Sequence, residues 1–224
     1  MRAMINPGLL QSNLDSGSLN LLGRIAHPVG KPGVYLGTLF QGDRLVTHFH
    51  VVADASNVLP QTNIDLASLA PGAPGGCANC PPGSTQAQFS VNPKGYLIFY
   101  VSHGTGGFAV TLSDTANPAN PVFDSRNLQA GDYYVVNVVG AGQYKVTNSV
   151  TQQVHDLEVK APVPTPGVQF KPLAPLRIQV NAQGFDQAKV QVMALQPKVY
   201  LIQSPSRIKI EMASAAPIVK PPVS

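Results

Sequence analysis

Apolar and polar residues alternate along much of the chain with the two-residue period of a half-buried β-strand. Phe108, Val110 and Leu112, for example, alternate with small or polar residues. Segments rich in Val, Tyr and Phe predict further strands, at residues 34–40, 45–52, 96–101, 133–139, 143–147 and 150–159. Gly140-Ala141-Gly142 predicts a short hairpin between two of them. The pattern predicts an all-β protein, either an antiparallel β-sandwich or a jelly roll or small barrel.

Charge and proline content divide the chain near residue 160. Residues 1–160 carry 8 basic and 9 acidic side chains, whereas residues 161–224 carry 7 and 2 together with 10 of the 21 prolines. We therefore predict four segments: an N-terminal arm at 1–30, a main β-sandwich domain at 31–160, a proline-rich linker at 161–175, and a short C-terminal β segment with a proline-rich tail at 176–224. Leu19 to Ile25 can form one or two helical turns within the arm. No internal repeat is visible.

The C-terminal segment carries four short alternating patterns, at residues 176–180, 189–195, 198–203 and 207–212. In the last pattern, Ile208, Ile210 and Met212 take one face of the predicted strand. A segment of this size rarely supports a core of its own, so its apolar side chains have to pack on the main domain or on another chain. We expect the segment and the N-terminal arm to contact neighbouring subunits, either further copies of this chain or other structural proteins.

Composition narrows the class of protein. Apolar residues make up 44% of the chain, which is enough for a core, but charged residues make up only 12%, about half the roughly 25% of an average soluble domain. Low charge with many Pro and Gly residues argues against a helical bundle. Residues 1–30 hold no apolar run typical of a secretory signal peptide. No run of residues is apolar enough for a membrane span, and we expect synthesis in the cytoplasm.

The sharpest chemical feature is a pair of histidines, His48 and His50, followed by Asp54. Two residues at i and i+2 on a strand share one face, and imidazole is the commonest metal ligand. Gly42-x5-His48-x-His50 resembles the first metal-binding motif of cupins, small β-barrels that hold a divalent metal. Asp54 stands where cupins usually have Glu. The stretch from Gly131-Asp132 resembles part of the second cupin motif, but no His follows it. The other interpretation is that both histidines lie on the solvent side of a strand whose Leu45, Phe49 and Val51 face the core.

Two other short motifs have structural interpretations beside the chemical ones. Cys77-Ala-Asn-Cys80 lies in a Gly/Pro-rich segment. A zinc site there would need two more ligands, from His48 and His50 or from His103, and the alternative is a loop with free or locally bridged thiols. Ser102-His103 lies before a glycine-rich stretch, and adjacent residues of a strand point to opposite faces. We therefore predict a hairpin there and no Ser–His pair.

The function classes follow from these observations. Lys and Arg are scattered singly after residue 160, whereas binding to phosphates favours clustered cations, so nucleic-acid binding is predicted to be weak or absent. The sequence predicts a non-enzymatic structural protein without a cofactor. Such a protein would be a capsid, minor capsid or decoration component of a virus or phage particle, or part of a similar ordered extracellular array. The alternative is a cupin-like metal-binding protein or metalloenzyme with one divalent ion on His48, His50 and Asp54.

Overall fold

A computed structural model describes residues 11–70, 87–162 and 172–216. These residues are nearly all β, which confirms the predicted class, and their one helix, α1 (Leu66–Leu69), has four residues. No helix in this part of the chain is long and apolar enough to cross a membrane. The strands are β1 (Asn13–Asp15), β2 (Gly23–Pro28), β3 (Gly33–Gln41), β4 (Arg44–Ala53), β5 (Gln61–Asp65), β6 (Gln88–Val91), β7 (Tyr96–Tyr100), β8 (Phe108–Asp114), β9 (Asn117–Asp124), β10 (Tyr133–Val136), β11 (Gly142–Asn148), β12 (Gln153–Lys160), β13 (Leu176–Asn181), β14 (Gly184–Phe185), β15 (Lys189–Met193), β16 (Lys198–Ile202) and β17 (Ile208–Ala215).

The strands form three sheets around one apolar core. A seven-stranded sheet has the order β14-β13-β16-β10-β2-β7-β5. The β3 sheet has the order β6-β4-β3-β8-β9, and the β11 sheet has the order β1-β17-β11-β12-β15. In each sheet the buried residues alternate with exposed or half-buried ones, as in β12 with its alternating burial from His155 to Val159.

The sheets are mixed, whereas the sequence predicted antiparallel strands. Four pairs are parallel: β4 with β6, β5 with β7, β12 with β15, and β13 with β16. The chain leaves β4 for the seven-stranded sheet at β5 and returns to the β3 sheet at β6, so the return strand has the same direction. A further crossing between sheets follows β10: β10 belongs to the seven-stranded sheet, whereas β11 belongs to the β11 sheet. Gly140-Ala141-Gly142 therefore connects two sheets, and the predicted hairpin there is wrong.

Residues 13–28 and 176–215 pair within the same sheets as the strands between them. β2 lies between β10 and β7 near the middle of the seven-stranded sheet, where the sequence had suggested helical turns. The strands after residue 176 fill positions beside β10, β11 and β12. Ile178, Val180, Ile208 and Ile210 are buried in this chain's own core. Their burial does not require the neighbouring subunit that we expected, because β10, β11 and β12 leave edges that these strands complete.

Pairing registers show that the fold contains the same unit twice. The strand orders β6-β4-β3-β8-β9 and β15-β12-β11-β17-β1 correspond position by position, and the seven-stranded sheet is symmetric about the β10–β2 pair apart from β14. Tyr35 lies opposite Val51 in the β3–β4 hairpin, and Tyr144 lies opposite Leu157 in the β11–β12 hairpin. We call β1 to β8 the first repeat and β9 to β17 the second repeat.

Equivalent hydrogen bonds support this correspondence. The Tyr35 hydroxyl donates to the carbonyl of Lys31 at 2.9 Å, and the Tyr144 hydroxyl donates to the carbonyl of Gly140 at 2.8 Å, in each case four residues earlier. Positions 35 and 144 are 109 residues apart, as are Ile25 and Tyr134, which pair with each other across the two repeats. The local twofold axis therefore passes between β2 and β10.

Two short segments link the repeats reciprocally. Leu14-Asp-Ser-Gly-Ser-Leu19 and Phe123-Asp-Ser-Arg-Asn-Leu128 are also 109 residues apart, and we call them the linking segments. The first starts on β17 of the second repeat and ends on Phe108 of the first, whereas the second starts on β8 and ends on Ser206. The first strand of each repeat thus completes the five-stranded sheet of the other.

Candidate functional site

His48 and His50 lie on the outer face of the β3 sheet. Phe49 and Val51 alternate with them and are fully buried, which confirms the period-2 pattern of β4. Leu45, expected to face the core, is 50% exposed, because the β3–β4 register shifts between Leu39 and Phe40. His48 Nδ1 lies 3.1 Å from the Thr38 hydroxyl on β3.

Asp54 follows the last residue of β4 and closes a turn. Its carboxylate accepts hydrogen bonds from the backbone N–H of Ser56 at 2.8 Å and from its hydroxyl at 2.9 Å. These bonds lower the pKa of the Asp54 carboxyl. Within residues 11–70, 87–162 and 172–216, no group of three or more His, Cys, Asp or Glu residues is arranged to hold a metal ion. Metal binding by His48, His50 and Asp54 stays a prediction.

Asp132, from the second stretch that resembles cupins, contributes to the contact between the two repeats. Its carboxylate is 2% exposed, lies 2.7 Å from His27 Nδ1 on β2, and accepts the backbone N–H of Gln129 at 2.7 Å. The His27 ring also packs on Phe123 with ring centroids 4.3 Å apart. A buried carboxylate with these partners holds β2 against the turn that precedes β10.

Ser102 and His103 do form a hydrogen bond, so the prediction of no Ser–His pair is wrong. The predicted hairpin is wrong as well, because β7 and β8 lie in different sheets. Their side chains meet at 2.7 Å, because both residues lie beyond the end of β7, where strand alternation no longer applies. The Ser102 hydroxyl also donates to Asp65. Burial opposes ionisation of Asp65, yet hydrogen bonds from Ser102, Ser68 and two backbone N–H groups lower its pKa overall. Asp65 also caps α1.

This arrangement does not match a catalytic triad. In a triad the acid orients the histidine and the histidine accepts the serine proton. Here the serine lies between the acid and the histidine, and its proton is directed at the carboxylate. The three side chains fasten the loop after β7 to the N-terminus of α1. Cys77 and Cys80 lie outside the described residues.

The outer face of the seven-stranded sheet carries an apolar patch that surrounds one exposed cation, Arg24 of β2. We call the half-buried apolar residues that point outward from β7, β10 and β16 the outer patch. They are Tyr96, Ile98, Tyr100, Tyr133, Val135, Val199 and Leu201. The registers place Ile98, Ala26, Tyr133 and Leu201 in one row across four strands. Tyr96 and Tyr133 also pack edge to face at 5.9 Å.

Polar residues border the outer patch. Gln61 and Asn63 on β5 are exposed at one edge, and Arg177 and Gln179 on β13 are exposed near the other. A row that starts at Asp65 and ends at Arg177 crosses the patch, and Arg24 lies near the middle of this row. A mostly apolar centre with a polar rim is the usual composition of a protein–protein interface, and arginine is enriched there.

The outer face of the β11 sheet differs in chemistry. Lys145 lies opposite Asp156 on one neighbouring strand and opposite Glu211 on the other. Such alternating charges interact with water and with each other, and they disfavour close packing of another protein. Because the β11 sheet presents charges and the seven-stranded sheet presents mainly apolar side chains, the outer patch is the candidate interaction surface among the described residues.

Comparisons of the chain with protein-family models, with curated proteins and with solved structures find no match.

Proposed function

We propose that the protein is a non-enzymatic structural subunit that assembles with further copies of itself through the outer patch. The observation that carries the proposal is the row of apolar and aromatic side chains across the centre of the seven-stranded sheet, with polar residues at its borders. Contiguous exposed apolar surface of this kind marks interaction sites in soluble proteins. Tyrosine is also enriched at such interfaces.

Charge favours a second copy as the partner. Asp65 begins and Arg177 ends one row across the sheet. When two copies pack face to face about a twofold axis parallel to the strands, the edges exchange places. Asp65 of one copy then lies over Arg177 of the other, so opposite charges meet at both borders, while Arg24 lies over Val135 of the other copy. An isologous twofold contact is the commonest interface of homo-oligomers.

The assembly we propose is a virus or phage particle, with the chain as a capsid, minor capsid or decoration component, or a similar ordered extracellular array. Low charge and the proline-rich stretches at 161–175 and 217–224 support an extended packing role of this kind. A metal-binding role through His48, His50 and Asp54 is the alternative. Elemental analysis of the purified chain that finds one divalent ion per molecule would favour that alternative.

The experiment measures the mass of the full chain by sedimentation velocity over a range of concentrations. We expect the wild type to form dimers or larger species, and Ile98→Lys/Leu201→Lys to stay monomeric with an unchanged circular dichroism spectrum, because each lysine places a charge in the contact. Val154→Lys is the matched control, since Val154 is a valine 41% exposed on a strand of the β11 sheet. A monomeric wild type, or equal dissociation by the control, contradicts the proposal.

A further inference from the structure

The cores of the two repeats differ in chemistry at equivalent positions. The pairing registers match Ile25 with Tyr134, Leu39 with Asn148, Phe49 with His155, Leu97 with Lys198, and Phe99 with Tyr200. Every one of these first-repeat side chains is apolar, whereas every second-repeat side chain carries a polar or titratable group. All ten are at most 1% exposed.

Two polar atoms of this second-repeat core lack partners. The Asn148 amide is satisfied, since its Nδ2 donates to the Ser206 hydroxyl at 3.0 Å and its oxygen accepts two backbone N–H groups. His155 Nε2 lies 3.3 Å from the Tyr200 hydroxyl. His155 Nδ1 and Lys198 Nζ, in contrast, have no hydrogen-bond partner among the described residues. Buried polar groups without partners destabilise a fold.

The surroundings of His155 on β12 are mostly apolar. Phe185 of β14 packs on its ring at 4.5 Å, and Val146 of β11 lies opposite it. The titratable group that faces it is the Tyr200 hydroxyl of β16, with Tyr134 of β10 stacked behind Tyr200.

Three charged residues lie near His155. Asp156 is the next residue on β12, and Lys189 of β15 lies opposite Asp156. Asp186 directly follows β14. Burial opposes a charge on the imidazole more strongly than the two carboxylates favour one, and it lowers the pKa of His155 to about 4.

We propose that the second repeat is an acid-sensitive half of the molecule: protonation of His155 opens the β11 sheet while the first repeat stays folded. The charged imidazole has no place in a core made of Phe185, Tyr200 and Val146. Opening lets the ring reach water, and it frees β1, which pairs with β17. This device is independent of the proposed assembly, because it depends on the interior of one chain.

The sign of the pH effect follows from the two states of His155. In the closed repeat the imidazole has a pKa of about 4, whereas in the opened repeat it has the ordinary value near 6.5. The opened state therefore binds more protons between these values. The closed state keeps its full stability above about pH 6.5 and loses it as the pH falls towards 4. At pH 5 the linkage favours opening about 30-fold relative to pH 7.5.

Lys198 weakens the same repeat in another pH range. Burial lowers the pKa of its ammonium group to about 8, so at neutral pH the closed repeat holds a buried charge. Stability of this repeat rises as the pH increases from about 8 to the ordinary lysine value near 10.4. Lys198 stays mostly protonated between pH 5 and 7.5, so it changes the opening equilibrium far less than His155 does.

The experiment is hydrogen–deuterium exchange of the full chain at pH 7.5 and pH 5.0, corrected for the intrinsic pH dependence of exchange. We expect amides of β11, β12 and β17 to lose about 30-fold in protection at the lower pH. Amides of the equivalent strands β3, β4 and β8 should keep theirs. Equal loss in both repeats, or no loss in β11, β12 and β17, overturns the proposal.

Substitutions that exchange residues between equivalent positions of the first and second repeats provide the controls. His155→Phe installs the residue found at the equivalent position 49, and we expect it to abolish the pH-dependent loss. His155→Gln keeps a neutral polar side chain and should do the same if the phenyl ring does not fit. Phe49→His should transfer acid sensitivity to the β3 sheet. A pH-dependent loss that persists in both His155 variants contradicts the proposal. A chain that does not self-associate would contradict the proposed assembly but not the acid sensitivity of the second repeat, so the two proposals fail separately.

Discussion

At the scale of single residues, the close contact between Gly37 and Phe49 shows how tightly the first repeat is packed. A Cβ atom added at Gly37 would lie 2.2 Å from the Phe49 ring. The equivalent positions in the second repeat are Val146 and His155, which are also buried neighbours. The absence of a side chain at 37 therefore provides the room for a phenyl ring at 49.

We expect Gly37→Ala to destabilise the protein by roughly 1–3 kcal/mol, the usual cost of overpacking a core. Chemical denaturation followed by circular dichroism measures the change. Gly37→Ala/Phe49→Leu should recover part of the loss, because the smaller side chain leaves space for the new methyl group. Additive losses in the double variant would show that the ring is not the cause.

At the scale of elements, the two linking segments make the same buried contact. The Ser16 hydroxyl accepts the backbone N–H of Ile208 at 3.1 Å, and the Ser125 hydroxyl accepts that of Val110 at 2.9 Å. Both serines are fully buried. Each hydroxyl thus satisfies a backbone N–H on a strand of the other repeat, β17 for Ser16 and β8 for Ser125.

Ser16→Ala and Ser125→Ala should therefore destabilise the chain by similar amounts, about 1–3 kcal/mol each, since each leaves a buried N–H without an acceptor. Equilibrium urea denaturation gives both values. Thr115→Ala, which removes an exposed hydroxyl bonded to the Val34 carbonyl, is the control and should cost much less. A large difference between the two serine variants would contradict their equivalence.

Period-2 patterning was sufficient to predict the long strands, including β3, β4, β8, β11, β12 and all of the longer ones after residue 176. This patterning did not predict β9, whose residues do not alternate and which is a strand because it pairs with β8. β9 contains Pro118 and Pro121, which are more typical of turns, and such a strand is tolerated at a sheet edge, where a missing N–H costs little. The Ser102–His103 contact was missed because strand alternation ended one residue earlier than the sequence suggested.

At the scale of the whole molecule, the duplication was not visible in the sequence because the offset between equivalent residues changes along the chain. It is 109 from Tyr35 to Tyr144, 106 from Val51 to Leu157, 101 from Phe99 to Tyr200, and 98 from Leu112 to Ile210. Loops of unequal length cause this drift, and core residues of different polarity conceal the match further. The outer patch required the sheet order, which places residues far apart in sequence in one row.

The duplication predicts that the connection between the repeats is dispensable. A circular permutant that opens the chain between Thr115 and Ala116, and joins residue 216 to residue 11 through a flexible linker, should keep the fold. The old ends lie close together, because Asn13 of β1 pairs with Glu211 of β17. We expect near-native circular dichroism and cooperative unfolding. A chain truncated after Lys160 should instead unfold, because three sheet edges lose their partners, and a folded truncated chain would contradict this arrangement.

The pairing of β1 with β17 also determines how the molecule responds to tension on its ends. Asn13 lies opposite Glu211 and Asp15 lies opposite Lys209, so the chain enters and leaves the antiparallel pair at the same end. A force applied at the two termini peels the hydrogen bonds one at a time and does not load them in parallel by shear. The Asp15–Arg207 ion pair, at 2.8 Å, and the Ser16 contact lie at the far end and part last. Neighbours in an array that pull on the termini would therefore begin to extend the chain at low force, and separation of the pair would expose the core residues Leu14 and Ile210.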